Sequence, residues 1–275
     1  MEKIMDNTIL CVKWGDKYGR EYVEKLKEQC EKNCSVPFNF YCLTDKPTEP
    51  YDILLPVDWD DYEGKHSRYR NKQAPSNMWA YRKLYMFKLD KVSPGGGAWN
   101  QADIDWKKIQ GNKFLYLDLD VIIHSDLKYF FELSMVRPWI VRGWWNDPNE
   151  CRKNYAMMKS TPINSSVIRW DRGQLVKVYD HIRKNLDVLF FTYPTIDNYL
   201  NHFWYHMWYE DLPSEELAKK TFFNRFPEGD VYSYYRGASF ETGDMEPNKI
   251  RLDHKICLFN NSAETNDVEE LKSLW

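Results

Sequence analysis

An apolar segment that carries two acidic residues constrains the fold of this chain more than any other feature. The segment Lys113–Ile123 reads KFLYLDLDVII, and its aromatic and β-branched residues predict a buried strand. Asp118 and Asp120 are two residues apart, so both side chains lie on the same side of the strand if the chain stays extended. Open α/β sheets bind ligands beyond the carboxyl ends of their strands. The segment therefore predicts a strand whose end presents two carboxylates to a ligand.

Two neighbouring carboxylates at a strand end require compensation. They repel each other, and each loses hydration when it is buried. A divalent cation relieves both costs, and hard oxygen ligands favour Mn²⁺ or Mg²⁺. Such a cation commonly binds together with a diphosphate, whose oxygens it bridges. The alternative is structural: Asp118 and Asp120 would cap the turn after the strand, as Asp126 could also do.

The rest of the chain alternates between predicted strands and predicted helices. A strand, a helix and a second strand with short connections form a βαβ unit, which implies a parallel sheet. No internal repeat or low-complexity linker separates the elements, so we expect one domain over residues 1–275. The predicted strands are Thr8–Trp14, Phe38–Asp45, Tyr51–Val57, Trp139–Arg142 and Ile163–Trp170, and the predicted helices are Tyr18–Asn33, Met78–Leu89 and Arg172–Leu189.

Composition argues against several classes of partner and location. The formal net charge is −3, so we expect no nucleic-acid partner. No stretch approaches the ~20 apolar residues of a membrane span. The start of the chain lacks the pattern of a signal peptide, so we expect a cytoplasmic protein. The six cysteines form no CxxC pair, which fits reduced thiols in that compartment.

Four segments resemble, in the same order, motifs of the GT-A glycosyltransferases, especially family 8, the glycogenin and bacterial galactosyltransferase group. Phe114–Val121 resembles the Asp-x-Asp motif, and Ile9–Tyr18 is similar to the first strand and its nucleotide-binding loop. Lys83–Phe87 resembles the helix before the Asp-x-Asp strand, and Ile163–Trp170 resembles the strand that lines the donor and acceptor pocket. The resemblance implies an α/β fold, a GT-A type Rossmann-like domain whose mixed, mainly parallel central sheet is flanked by helices.

The resemblance also implies roles for individual residues. Asp120 would bind the metal directly, and Asp118 would contact both the metal and the ribose. Lys83, or Arg82 if the register differs by one residue, would contact the diphosphate or the sugar, which suits a compact ammonium. Asn164 would bond sugar hydroxyls. The residues expected beside the nucleotide are Trp14, Asp16, Tyr18 and Asp45.

Two later segments depart from the family pattern. The acidic or amide pair that usually follows the Asn-Ser motif would be Asp197 and Asn198, although Asp197 could instead cap a helix beginning at Asn198. The closing strand, Lys255–Asn261, has no histidine where the family has its third metal ligand. Asn260 could replace it through its amide oxygen, or His254 could do so from before the strand.

The resemblance implies transfer of a sugar from a nucleoside diphosphate, expected to be UDP, to a hydroxyl of a glycan or similar acceptor. Mn²⁺ or Mg²⁺ would assist departure of the nucleotide. Retention of anomeric configuration is expected, whereas an inverting enzyme would use Asp197 or Glu210 as its base. Residues 1–125 would bind the nucleotide sugar and residues 126–275 the carbohydrate acceptor. The ring-rich segment His202–Tyr235 would form either an acceptor surface or a dimer contact.

Two other functions remain open from the sequence. The missing histidine makes a non-catalytic sugar- or nucleotide-binding protein on the same scaffold conceivable. A phosphatase of the haloacid dehalogenase type also places a nucleophilic Asp at the end of an apolar strand, with a second acid at i+2. That strand usually lies near the N-terminus, however, and Asp118 lies far along this chain.

Overall fold

A computed structural model describes most of the chain, namely residues 5–55, 79–89, 108–134, 136–153, 161–185, 192–193, 195–206, 209, 216, 220–260 and 266–275. The strands are β1 (Asn7–Lys13), β2 (Phe38–Thr44), β3 (Asp52–Leu54), β4 (Lys113–Leu117), β5 (Val121–Ile123), β6 (Trp139–Arg142), β7 (Ile163–Asp171), β8 (Asn224–Arg225), β9 (Val231–Ser233) and β10 (Ile256–Leu258). The α-helices are α1 (Arg20–Lys32), α2 (Lys128–Glu132), α3 (Pro148–Lys153), α4 (Val176–Lys184), α5 (Ile196–Leu200) and α6 (Asn266–Leu274). Trp79–Lys88 is a 3₁₀ helix, and Asn201–Tyr205 is one turn of π-helix.

A seven-stranded sheet in the order β3-β2-β1-β4-β7-β6-β8 forms the centre of the fold. β3, β2, β1 and β4 run parallel to one another, β7 runs antiparallel to β4 and β6, and β8 runs parallel to β6. The parallel half arises because α1 returns the chain between β1 and β2, as a crossover connection requires. This topology confirms the predicted mixed, mainly parallel sheet, and it brings the carboxyl ends of β2, β1 and β4 to one edge.

The predicted strand Lys113–Ile123 is divided between two sheets, so the prediction of one continuous strand is wrong. β4 ends at Leu117, and β5 belongs to a second sheet in the order β5-β10-β9. The backbone of Asp118 still pairs with the first sheet, since its N–H donates to the Ser166 carbonyl over 2.9 Å. The carbonyl of Asp120 instead accepts from the Phe259 N–H over 3.1 Å, beside the second sheet. The acidic pair therefore lies at the point where the backbone leaves one sheet for the other.

Helix α1 covers one face of the parallel half-sheet. Its apolar residues recur at helical spacing, so one stripe faces the sheet while charged residues face solvent. Burial of each such side chain contributes roughly 1.5–3 kcal/mol. The helix confirms the predicted segment Tyr18–Asn33, although it begins at Arg20. Its buried residues are Tyr22, Val23, Leu26 and Cys30.

The 3₁₀ helix Trp79–Lys88 packs in the core on the other face of the sheet. We predicted a helix over Met78–Leu89, of which Met78 lies outside the described residues. Leu84 to Phe87 are four consecutive buried residues, together with Tyr116 and Trp170 in one apolar cluster. Because these four residues are all buried, packing rather than amphipathic periodicity positions the segment. The apolar pattern therefore predicted a helix here but did not distinguish a 3₁₀ helix from an α-helix.

Helix α4 is shorter than predicted. The prediction Arg172–Leu189 is wrong at its start, because residues 172–175 form a turn and the helix begins at Val176. Gly173 adopts φ +87°, a backbone conformation that side chains with a Cβ rarely take. Residues 186–189 of the prediction lie outside the described part of the chain. None of the helices in the described ranges combines the length and apolarity that a membrane span requires.

Candidate active site

The candidate site lies where three neighbouring parallel strands end. Trp14, Asp45 and Asp118 are the residues that directly follow β1, β2 and β4. Because these strands are adjacent in the sheet, their following residues share one edge, where α/β sheets bind ligands. The structure thus places Asp118 at the predicted end of the sheet.

The Asp118 carboxylate is held by two side chains. The Lys83 ammonium donates to its two oxygens over 3.2 and 3.4 Å, and the Tyr116 hydroxyl donates to Oδ1. Burial, followed by the charge of Asp118, raises the pKa of Tyr116 well above its usual value, so the phenol remains a donor. The Asp118 side chain is 22% exposed and therefore reachable from solvent.

Asp120 is bonded by a side chain from the segment between β1 and α1. The Tyr18 hydroxyl donates to its Oδ2 over 2.9 Å. Burial and the neighbouring charge of Asp118 raise the pKa of Asp120 to about 6, although the Tyr18 hydrogen bond and Lys17 oppose this rise. The charge of Asp118 therefore destabilises the charged form of Asp120, and a bound cation would relieve that repulsion.

Asp126 has the capping role that the sequence suggested for it. Its Oδ1 accepts the N–H groups of Ser35 over 3.0 Å and of Lys128 over 2.9 Å, and its Oδ2 accepts the Ser35 hydroxyl. The carboxylate of Asp118 is instead bonded by the Lys83 and Tyr116 side chains. This difference favours a ligand-binding rather than a capping role for the pair.

Lys83 and Arg82 face different parts of the site. Lys83 is 7% exposed and donates to the Ser165 carbonyl over 3.2 Å and to the Ser165 hydroxyl over 3.1 Å, in addition to Asp118. The Arg82 guanidinium lies 3.6 Å from the centre of the Trp14 ring. Consecutive helical residues point in different directions, so Lys83 contacts Asp118 whereas Arg82 lies against Trp14. Which of the two contacts the donor stays a prediction.

Asp197 lies beside Ser165 at the start of α5. Its Oδ1 accepts the Ser165 N–H over 3.0 Å. The helix cap is Thr195, whose hydroxyl accepts the Asn198 N–H over 3.2 Å, so the alternative of Asp197 as the cap is wrong. Burial raises the pKa of Asp197, and the nearby Lys83 charge opposes that rise.

Asn164 bonds within its own strand. Its Oδ1 accepts the Ser166 N–H over 2.8 Å. The pairing of β6 with β7 shifts in register between Ile140 and Val141, next to this residue. The local bond occupies one lone pair of the amide oxygen, and the amide N–H₂ remains a donor group that suits a sugar hydroxyl.

The loop after β1 is held by a glycine turn. Gly15 adopts φ +65°, its N–H donates to Asp45 over 3.4 Å, and its carbonyl accepts from Lys13 over 2.9 Å. Asp45 thus joins the loop that carries Trp14 and Tyr18. Asp16 does not join this network, because its side chain is 87% exposed and pairs with Lys46 over 2.9 Å.

The residue proposed as third metal ligand, Asn260, follows β10 close to Asp120. Phe259, which precedes it, donates its N–H to the Asp120 carbonyl. The Asn260 Oδ1 accepts the Ser233 hydroxyl over 2.5 Å. That bond occupies one lone pair of the oxygen through which Asn260 would coordinate a cation.

His254 lies at the opposite end of β10. The neighbouring Lys255 carbonyl accepts the His124 N–H over 2.8 Å, and the His254 ring packs against Tyr232 with centroids 5.1 Å apart. Because β5 and β10 are antiparallel, this end of the strand pair is far from Asp120. The geometry does not support His254 as the third ligand.

Within the described residues, no group of three or more His, Cys, Asp or Glu side chains is arranged to hold a metal ion. Among the described residues, a cation at this sheet edge would find the two carboxylates of Asp118 and Asp120. A cation here would complete its coordination with water and phosphate oxygens, which is the mode that Mg²⁺ prefers. The donor set fits a cation that binds together with a diphosphate.

Two residues of the site were absent from our predicted site residues. Tyr116 lies two residues before Asp118, so strand alternation alone places both side chains on one face. Ser165 belongs to the Ile163–Trp170 motif, but its contact with Lys83 joins positions 82 residues apart in sequence. No local pattern indicates such a contact.

Comparison with solved structures identifies the class of fold. No protein-family model matches the sequence, and no curated protein sequence matches it. The described architecture is that of GT-A glycosyltransferases, which confirms the predicted fold class.

Two of the solved structures with this fold are of the galactosyltransferase LgtC. An active-site mutant of LgtC has a TM-score of 0.53 at 11% identity, and the alignment covers 97% of this chain and 95% of that one. LgtC in complex with donor and acceptor sugar analogues has a TM-score of 0.51 at 11% identity, with the same coverage. The apo structure of WbbM, a bifunctional glycosyltransferase, has a TM-score of 0.50 at 10% identity, covering 97% of this chain and 50% of that one. At these identities the likeness establishes the fold.

Proposed function

We propose that this protein is a hexosyltransferase that moves a sugar from a nucleoside diphosphate, preferably UDP, to a hydroxyl of a carbohydrate acceptor. The observation that carries the proposal is the Asp118 and Asp120 pair at the carboxyl end of β4, in a GT-A fold. A site with two carboxylates and a buried ammonium suits a magnesium or manganese diphosphate, in which both signs of charge need partners.

Each residue of the site has a distinct part in this proposal. Asp118 and Asp120 would hold Mn²⁺ or Mg²⁺, which neutralises charge on the departing diphosphate. Lys83 would add a fixed positive charge beside the sugar phosphate. Asn164 would orient the sugar through its amide N–H₂ group. Asp197 would lie against the reacting sugar.

The loop after β1 would bind the nucleotide base. Trp14 and Tyr18 offer ring surfaces, and Asp45 is fixed to this loop through Gly15. Asp16 would contribute only if its exposed pair with Lys46 opened. Asn260 would serve as a weak metal ligand through its remaining lone pair.

The stereochemical outcome depends on whether a carboxylate acts as a general base, and the two candidate bases are Asp197 and Glu210. Glu210 lies outside the described residues. Asp197 accepts the Ser165 N–H, and that hydrogen bond would hold its carboxylate in position to orient a substrate hydroxyl. We therefore propose retention of configuration. The acceptor would bind along residues 126–275, with its aromatic contacts in the segment His202–Tyr235.

The turnover of nucleotide sugars tests the proposal. UDP release from a panel of UDP-sugars should require Mn²⁺ or Mg²⁺, and Asp120→Asn should lower it by roughly a hundredfold or more, because the cation stabilises the charge that develops on the leaving group. Asp126→Asn, which changes a carboxylate outside the site, should retain turnover.

Two other results would point elsewhere. Binding of UDP without turnover of any nucleotide sugar would favour the non-catalytic alternative. Hydrolysis of p-nitrophenyl phosphate that depends on Asp118, with no response to nucleotides, would favour the phosphatase, although the GT-A fold gives that alternative no support.

A further inference from the structure

The Lys83 ammonium is fully engaged by protein atoms. Its nitrogen lies 3.2 and 3.4 Å from the two Asp118 oxygens, 3.2 Å from the Ser165 carbonyl and 3.1 Å from the Ser165 hydroxyl. An ammonium has three N–H donors, so these four oxygens use all of them. In this state no N–H of Lys83 is directed toward a substrate.

The same Asp118 carboxylate is half of the proposed metal site. Asp118 and Asp120 are the only carboxylates we assign to the cation, and Lys83 already occupies one of them. A divalent cation on Asp118 would repel an ammonium 3.2 Å from that oxygen. The two positive charges therefore compete for one partner.

Ser165 provides the position to which Lys83 can retreat. Its carbonyl and hydroxyl accept from Lys83, and its N–H donates to the Asp197 carboxylate over 3.0 Å. The charge of Lys83 also acts on the nearby Asp197 carboxylate, so Lys83 keeps an anionic neighbour when Asp118 binds the cation. Once the cation takes Asp118, Lys83 keeps its two Ser165 acceptors, and the N–H released from Asp118 can donate toward a phosphate or sugar oxygen.

We propose that Lys83 is an exchangeable counter-cation: it pairs with Asp118 in the free protein, and it leaves Asp118 when a divalent cation binds with the nucleotide. This inference rests on the proposed function and adds to it an order of binding events. Binding of the cation releases the lysine that contacts the donor. The free protein consequently binds the cation poorly on its own, since Lys83 must first be displaced.

The exchange makes an unusual prediction about Lys83 variants. A positive charge 3.2 Å from a carboxylate oxygen opposes the binding of a second cation to the same carboxylate. Coupling between two ligands of one site is reciprocal. Removal of the lysine charge should therefore tighten the binding of the metal alone, although the same change should weaken binding of the nucleotide.

The experiment measures free Mn²⁺ by electron paramagnetic resonance during titration of the protein without nucleotide. Lys83→Gln, whose amide can still donate to Ser165, should bind Mn²⁺ roughly tenfold more tightly than the wild type. Lys83→Arg keeps the charge and should stay within about twofold of the wild type. Lys83→Met is a second neutral variant for use if the Gln variant does not fold, as judged by its melting transition.

Equal or weaker Mn²⁺ binding by the neutral variants would overturn the exchange. A parallel titration of the wild type with Mn²⁺ and UDP separates this failure from failure of the proposed function. If the wild type binds Mn²⁺ with UDP and the neutral variants bind Mn²⁺ no more tightly than it does, only the exchange is wrong. If no form binds Mn²⁺ with or without UDP, the proposed function fails and the exchange with it.

Discussion

Single residues at the sheet edge carry charge that the fold only partly compensates. Asp118 has Lys83 and Tyr116 as partners, whereas Asp120 has the neutral Tyr18 hydroxyl and a raised pKa. A carboxylate without a nearby positive charge lowers the free energy of unfolding, and such residues cluster at sites that bind a ligand. The raised pKa of Asp120 is therefore consistent with the proposed cation site.

Asp120 should make the metal-free protein less stable as pH rises. Its folded pKa of about 6 exceeds the ordinary value of 3.8, so the folded state holds the proton longer than the unfolded state does. Stability due to this group is therefore lost between about pH 4 and 6 and stays low above that range. Asp120→Asn removes the charge and should raise the free energy of unfolding at pH 7.5 by about 1–3 kcal/mol, with little effect at pH 3.5.

Urea unfolding at the two pH values measures this difference. The control is Asp126→Asn, where hydrogen bonds from Ser35 and Lys128 outweigh burial and lower the pKa. Its carboxylate stabilises the fold at neutral pH, so the change should have the opposite sign. A loss of stability at pH 7.5 in Asp120→Asn would contradict the account.

Residue types at the site were largely predictable, and their contacts were only partly so. Asp118 and Asp120 stand out because acids are rare beside apolar strand residues. Lys83 and Arg82 are both basic, so their different partners depended on the rotation of a helix whose 3₁₀ geometry the apolar pattern does not indicate. The Ser165 contact depends on tertiary packing and therefore required the structure.

At the scale of elements, short segments set the position of the site. The chain leaves β4 after Leu117 and enters the second sheet at Val121, and the acidic pair occupies that transition. Apolar residues continue through the break, so periodicity alone predicts one strand. The division depends on pairing with β7 on one side and β10 on the other, which are distant in sequence.

Helix α5 positions Asp197 through its cap, Thr195. The Thr195 hydroxyl accepts the Asn198 N–H and fixes the first turn, in which Asp197 bonds Ser165. Thr195→Ala should lower the free energy of unfolding by about 1 kcal/mol, the usual loss for a removed cap. Because Asp197 would then lose its fixed position, nucleotide-sugar turnover should fall severalfold, by more than the stability change explains.

Thr195→Ser is the matched control, since a serine hydroxyl caps equally well. It should restore both stability and turnover to the wild-type level. If the Ala variant lost stability but kept full turnover, Asp197 would not depend on the cap for its role.

At the scale of the whole molecule, the fold explains why residues far apart in sequence form one site. β1, β2 and β4 are parallel neighbours, and β7 adds Ser165 and Asn164 from the antiparallel side. The βαβ pattern predicted the parallel half, whereas the antiparallel half follows from crossings that local sequence does not specify. The division into a nucleotide half and an acceptor half remains a prediction.

The measurement that tests the central claim most directly is the melting temperature with UDP, in the presence and absence of Mn²⁺, for the wild type and Asp120→Asn. A ligand at ~100 times its Kd adds ~2.7 kcal/mol to the free energy of unfolding, which corresponds to a rise of roughly 5–10 °C for a chain of this size. This rise is expected for the wild type only when both Mn²⁺ and UDP are present. The melting temperature of Asp120→Asn should not rise above the value that this variant has without ligands. The same rise without Mn²⁺, an equal rise in Asp120→Asn, or no rise under any condition would contradict the proposed metal and nucleotide site.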